Sequence, residues 1–123
     1  MSDHTSLVVW QRAQRIVVDI TDSLSPNISR RMPGLRAQLL RAAASISANI
    51  GEGASRRTSR EYAQFVTIAI ASASETENHL TLAIALRAVH GNPETLVSEI
   101  RRIRAMLFKL RAYLERISAQ SIS

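Results

Sequence analysis

The chain has 123 residues and a mass of 13.6 kDa. At that size folding can bury about two-thirds of its surface, enough for one core without covalent staples. There is no cysteine, which excludes disulfide frameworks, thiol nucleophiles and cysteine-based zinc sites. Sixteen Lys and Arg stand against ten Asp and Glu, a net charge of +6, and Lys109 is the only lysine; such an arginine surplus suits bidentate contacts to phosphate or carboxylate.

Apolar residues recur at three- and four-residue steps almost throughout, so the chain reads as helical. The first helix is expected over about 5–24, with Leu7, Trp10, Ala13, Val17, Ile20 and Leu24 on its buried face and Trp10 as its core anchor. Ser25-Pro26-Asn27 ends it, because proline cannot continue the hydrogen-bond ladder. The second helix is expected over about 35–51, with Leu39, Ala42, Ile46 and Asn49 on one face. Its small residues would let a neighbour approach closely, within the fold or across subunits. Gly51-Glu52-Gly53 reads as its end or a turn. Thr58-Ser59-Arg60-Glu61 opens the third helix with a capping box, and no proline or glycine interrupts it before His90. Asn92-Pro93 then starts a fourth helix over about 93–118, with the tail beyond expected to fray. In it Leu96, Ile100, Ile103, Leu107, Leu110, Leu114 and Ile117 alternate four-three, a heptad seam. Four amphipathic helices with short connections predict an all-α, single-domain, up-down-up-down antiparallel four-helix bundle. The N-terminus has no basic residues before an apolar run, and no apolar stretch nears twenty residues, so a soluble cytoplasmic protein with no membrane partner is expected.

The sequence carries little catalytic chemistry. No Glu-x-x-His spacing accompanies Glu75, Glu77 and His79, so no di-metal site of the ferritin type is expected, and no strained nucleophile elbow or phosphate loop is present. The reading is of a non-enzymatic protein with no cofactor and no metal. Its arginines are the informative feature. Arg56, Arg57 and Arg60 cluster between the second and third helices. Arg30 and Arg31 lie in the preceding connection, at the opposite end of the expected bundle. Arg102, Lys109 and Arg116 repeat every seven residues as one stripe on the fourth helix, with Arg104 and Arg111 as a second stripe beside it. One reading is a footprint for RNA or DNA phosphates without base readout, since aromatics at 4% argue against base-stacking platforms. The other is a solvated face with salt bridges to Glu52, Glu61, Glu99 and Glu115, or a scaffold for an acidic or helical protein partner. Asn49, Glu52 and Glu75, beside Gly53 and an arginine near Arg57, are expected to satisfy one another as a structural network. Met106, Phe108 and Tyr113 fall off the seam of the fourth helix and predict a second buried face, hence a homo-oligomer.

These residues resemble a known bacterial family. Leu7-Val8-Val9-Trp10-Gln11 with Ala13 resembles its Leu-x-Val-Trp-x-x-Ala opening. The match continues through Leu39, Arg41-Ala42-Ala43 and Ser45-Ile46 to Asn49-Ile50-Gly51-Glu52-Gly53, similar to its Asn-Ile-Ala-Glu-Gly signature. Arg57, Glu61, Phe65, Ile68-Ala69, Ser72, Glu75 and Leu80 follow at the family's spacing. The family is that of proteins encoded by intervening sequences within 23S ribosomal RNA genes, and the chain also resembles the accessory proteins of diversity-generating retroelements. Gly51 stands where alanine is usual, Ala71 where glycine is frequent and His79 where glutamine is usual. The resemblance implies a bundle that assembles as a ring, a homopentamer, with nucleic acid and a reverse transcriptase as partners and no catalytic activity.

Overall fold

The computed structural model describes residues 2–122, with side chains over 4–120. It comprises α1 (Ser2–Ser23), α2 (Ile28–Arg31), α3 (Leu35–Ala54), α4 (Ser59–Ala85) and α5 (Pro93–Ile122). Among the described residues there is no strand, only an isolated antiparallel bridge between Leu24 and Val89. α1 packs on α3 and α5, α4 packs on the same two helices, and α2 rests on α3. One apolar cluster draws on all five elements, from Val9, Ile16 and Ile20 through Ile28, Leu39 and Ile46 to Leu80, Ile103 and Leu107.

The α5 seam is buried as its heptads predict, from Leu96 to Leu114, with Ile117 packed partly against it. The helix also continues to Ile122, past the expected end near 118. α1 is rotated from the expected register. Val9, Ala13, Ile16 and Ile20 are buried, Trp10, Val17 and Leu24 flank the core, and Leu7 is half exposed. Both stripes have helical spacing; only the placement of α3 and α5 selects between them.

Three helix boundaries depart from expectation. Gly51 and Gly53 do not end α3, which runs on to Ala54. Gly53 instead serves close approach: a Cβ there would lie 2.6 Å from Tyr62 Cδ1 and 2.8 Å from Phe65 Cβ. α4 ends at Ala85, five residues before His90. Arg87, at φ +58°, turns the chain. Its N–H reaches the Ile84 carbonyl at 2.9 Å, and the Ala88 N–H reaches the Ala83 carbonyl at 2.9 Å. That pair of bonds is a Schellman cap with arginine where glycine is usual, so no punctuating residue marks it. The released segment pairs with the end of α1: Ser25 N–H donates to the Ala88 carbonyl and His90 N–H to the Ser23 carbonyl, both at 2.8 Å. Finally, the connection that carries Arg30 and Arg31 holds a single helical turn, α2. The start of α4 follows the sequence. Thr58 Oγ1 accepts from the Glu61 N–H at 3.1 Å and donates to its carboxylate at 3.1 Å. The carboxylate thus closes on the hydroxyl.

Candidate nucleic-acid interface

The cations sort into those held by the fold and those left to solvent. Arg12, on α1, grips Glu99, on α5, through Nε at 2.8 Å and Nη2 at 2.5 Å. That bidentate bond raises the Arg12 pKa above its ordinary value. Glu77 lies on the α4–α5 seam with its side chain only 16% exposed, and takes Arg101 Nε and Arg104 Nη2, each at 2.8 Å. Burial alone would push this carboxyl up, but the hydrogen bonds from the two arginines override it and hold it below the usual carboxylate range. Arg104 also donates to Ser74 Oγ at 3.2 Å, and Arg111 donates to Thr67 Oγ1 at 3.3 Å. The second stripe, Arg104 and Arg111, is therefore laid down along α4 rather than extended into solvent. Glu77 and its clamps escape the sequence reading. The signal that locates Glu77 is its register, four residues after buried Ala73 and three before buried Leu80. Glu75 lacks that register and is exposed.

The first stripe is free. Arg102, Lys109 and Arg116 are exposed; Arg116 lies over the Tyr113 ring at 5.7 Å. Of the turn cluster, Arg56 is engaged, bonded to Glu52 at 2.6 Å and lying over the Phe65 ring at 4.8 Å. Arg57 and Arg60 are exposed, with no ion-pair partner among the described residues. Arg60 borders a cleft of about 360 Å³ between α4 and α5, shared with Gln64, Thr67, Glu115 and Ser118. Arg30 and Arg31 are exposed on α2, separated from the turn cluster by the length of α3, about 30 Å. Of the four carboxylates expected in salt bridges, Glu52 and Glu99 form them, while Glu61 is spent on the α4 cap.

Of the expected network only the leg between Glu52 and an arginine beside Arg57 forms, to Arg56, while Asn49 and Glu75 find other partners. Asn49 donates to the Ser45 carbonyl at 2.8 Å and to Ser45 Oγ at 2.9 Å, and Ser45 Oγ meets Ser72 Oγ at 2.8 Å. Glu52 takes Arg56, and Glu75 pairs with His79 at 3.3 Å. Gly53 belongs to packing rather than to this chemistry. Met106, Phe108 and Tyr113 do not form one patch either. Met106 and Tyr113 pack partly against the core, while Phe108 is 46% exposed on another side of α5, under Arg111. Trp10 borders a cleft of about 370 Å³ with Leu7, Ile50, Gly51 and Tyr62, continued along α1 and α3 by Val18, Ala44 and Ala48. Among the described residues no group of three or more His, Asp or Glu is placed to hold a metal ion, and no helix is long and apolar enough to cross a membrane.

Comparison with known proteins finds a family and a fold. The model of the 23S rRNA-intervening sequence protein family matches residues 5–109. A crystal structure of a protein with unknown function, from the S23 ribosomal protein family of Bacteroides thetaiotaomicron VPI-5482, superposes with a TM-score of 0.73. It is 22% identical, and the match covers 88% of this chain and 98% of that one, a likeness of fold. No curated protein matches.

Proposed function

The chain belongs to the 23S rRNA-intervening sequence protein family, and on that premise we propose that it is a non-enzymatic protein that binds the backbone of RNA or DNA through arginine. One observation carries this reading: Arg57, Arg60, Arg102 and Lys109 stay exposed without a carboxylate partner among the described residues, although the fold pairs Arg12, Arg56, Arg101 and Arg104. Unpaired surface cations suit phosphates and carry no sequence information.

The scaffold of the proposal is an up-down-up-down antiparallel four-helix bundle of one domain. Partners that descend one helix as they climb its neighbour support it. Glu77 meets Arg101, Ser74 meets Arg104 and Thr67 meets Arg111 between α4 and α5; Ser45 meets Ser72 and Gly53 faces Tyr62 between α3 and α4. Assembly as a homo-oligomer, a pentamer by resemblance, belongs to the same reading, and would multiply a modest contact through effective concentration. The surface with the apolar character for it is the α1–α3 groove around Trp10, since Met106 and Tyr113 are partly buried against the core. The resemblance to retroelement accessory proteins extends the proposal to a reverse transcriptase partner and a cytoplasmic setting.

The test is a mobility-shift titration against RNA and DNA over a range of salt. Micromolar binding that weakens steeply with salt is expected, and replacing Arg57 and Arg60 together should weaken it about equally for all sequences. Absence of binding at low ionic strength refutes the reading. The second reading, a protein scaffold without nucleic acid, rests on the same apolar groove; partners that survive nuclease treatment in a pull-down would favour it. Light scattering reads the subunit count, and a monomer removes the avidity argument.

A further inference from the structure

Helix α5 carries six cations and three carboxylates, and Glu99 among the latter is turned to Arg12 on α1. Its side toward α4 is ordered differently from a diffuse basic face. Arg101, Arg104, Phe108 and Arg111 succeed one another at three- and four-residue steps, so they fall in one line, about 15 Å long from first to last. Arg101 and Arg104 share the single carboxylate of Glu77 and keep a positive surplus. Arg111 is steadied by Thr67 and lies over the Phe108 ring, 5.0 Å from its centroid. Arg60 extends the line through the cleft it shares with Thr67 and Glu115. Phe108 is thus a half-exposed ring inside a row of oriented guanidinium groups. The other two rings under arginines, Phe65 and Tyr113, are more buried.

We propose that this α4–α5 edge binds single-stranded rather than duplex nucleic acid, with one unpaired base stacked on Phe108 and Arg111 and the flanking phosphates held by Arg101, Arg104 and Arg60. The inference rests on the nucleic-acid reading above and narrows it to a substrate class. In a duplex the faces of the bases are already stacked on one another, so an exposed ring gains nothing from them. An unpaired base offers its face to an aromatic ring or a guanidinium plane, and does so whatever its identity. One platform accommodates one base, so the site is sequence-tolerant; an aromatic content of 4% argues against an extended stacking surface but leaves room for this single ring.

The experiment measures fluorescence anisotropy of the full chain with a labelled oligothymidylate and an oligouridylate of about twenty nucleotides, and with a duplex of equal length. Single strands are expected to bind about tenfold more tightly than the duplex. Phe108→Ala should weaken single-strand binding roughly fivefold to tenfold, the equivalent of one lost base stack. Duplex binding should change less than about twofold, and Phe108→Trp should retain the single-strand affinity. Because the ring is exposed, thermal unfolding of Phe108→Ala should match the parent, so the loss cannot be assigned to misfolding. Equal loss on both ligands, or unchanged single-strand affinity, overturns this inference and leaves the nucleic-acid reading standing. Failure to bind any of the three probes at low salt overturns both.

Discussion

Two glycines two residues apart in α3 should respond to alanine with opposite signs. Gly51 and Gly53 both lie inside the helix, so each substitution gains the same helix propensity, up to about 1 kcal/mol. They differ in what the new methyl group meets. At Gly51 it would sit 3.6 Å from Trp10 Nε1 and 4.0 Å from Cδ1, ordinary van der Waals contact on an exposed surface. At Gly53 it would sit 2.6 Å from Tyr62 Cδ1 and 2.8 Å from Phe65 Cβ, the latter fixed to the α4 backbone. Overpacking of this kind costs about 1–3 kcal/mol. Gly51→Ala should therefore stabilise by about 0.5–1 kcal/mol, and Gly53→Ala should destabilise by about 1 kcal/mol after its propensity gain. The shared gain cancels in the difference, which isolates the close approach of α3 and α4. Urea unfolding followed by helical circular dichroism, at one fixed protein concentration, measures it through the midpoint at constant m-value. If Gly53→Ala matches Gly51→Ala within about 0.5 kcal/mol, the close-approach argument is wrong.

Other perturbations probe the turns and the charges. Arg87→Gly should raise stability by about 1 kcal/mol, because arginine at φ +58° carries the left-handed penalty that glycine escapes; a loss in thermal unfolding would show that the Arg87 side chain does more than turn the chain. Glu77 titrates below its ordinary range in the folded chain, so its contribution is complete above the unfolded carboxylate pKa and is lost as pH falls through the folded one. Glu77→Gln should lower stability at neutral pH by about 1–2 kcal/mol and flatten the decline as pH falls below the unfolded carboxylate pKa of about 4.3; an unaltered acid limb refutes this. Arg104→Ala, which removes a clamp from Glu77, should destabilise by about 1 kcal/mol or more, whereas Arg102→Ala should stay within about 0.5 kcal/mol. Equal effects of the two in urea titration would mean that the clamp contributes nothing.

Some of the basic surface could be read in advance and some could not. Arg102, Lys109 and Arg116 are exposed where a seven-residue repeat puts them, because position on a single helix is a local property. Arg104 and Arg111 share that regularity but are drawn to α4 by Glu77 and Thr67, and which neighbour lies within reach is not encoded on α5. The expected Asn49–Glu52–Glu75 network formed only in its Glu52–arginine leg, to Arg56, because local partners at Ser45 and His79 were nearer to Asn49 and Glu75 than distant ones.

The α5 seam, the Thr58 cap and the start at Pro93 follow from the chain itself, since periodicity and capping act within a few residues. Other features became definite only when the helices met. The rotation of α1 that buries Val9 and leaves Leu7 half exposed is one. The continuation of α3 through Gly51 and Gly53, with room there for Tyr62, is another, as is the halt of α4 at Ala85, after which Val89 bridges to Leu24. In each case the local sequence is compatible with two arrangements, and contacts between residues far apart in sequence decided between them.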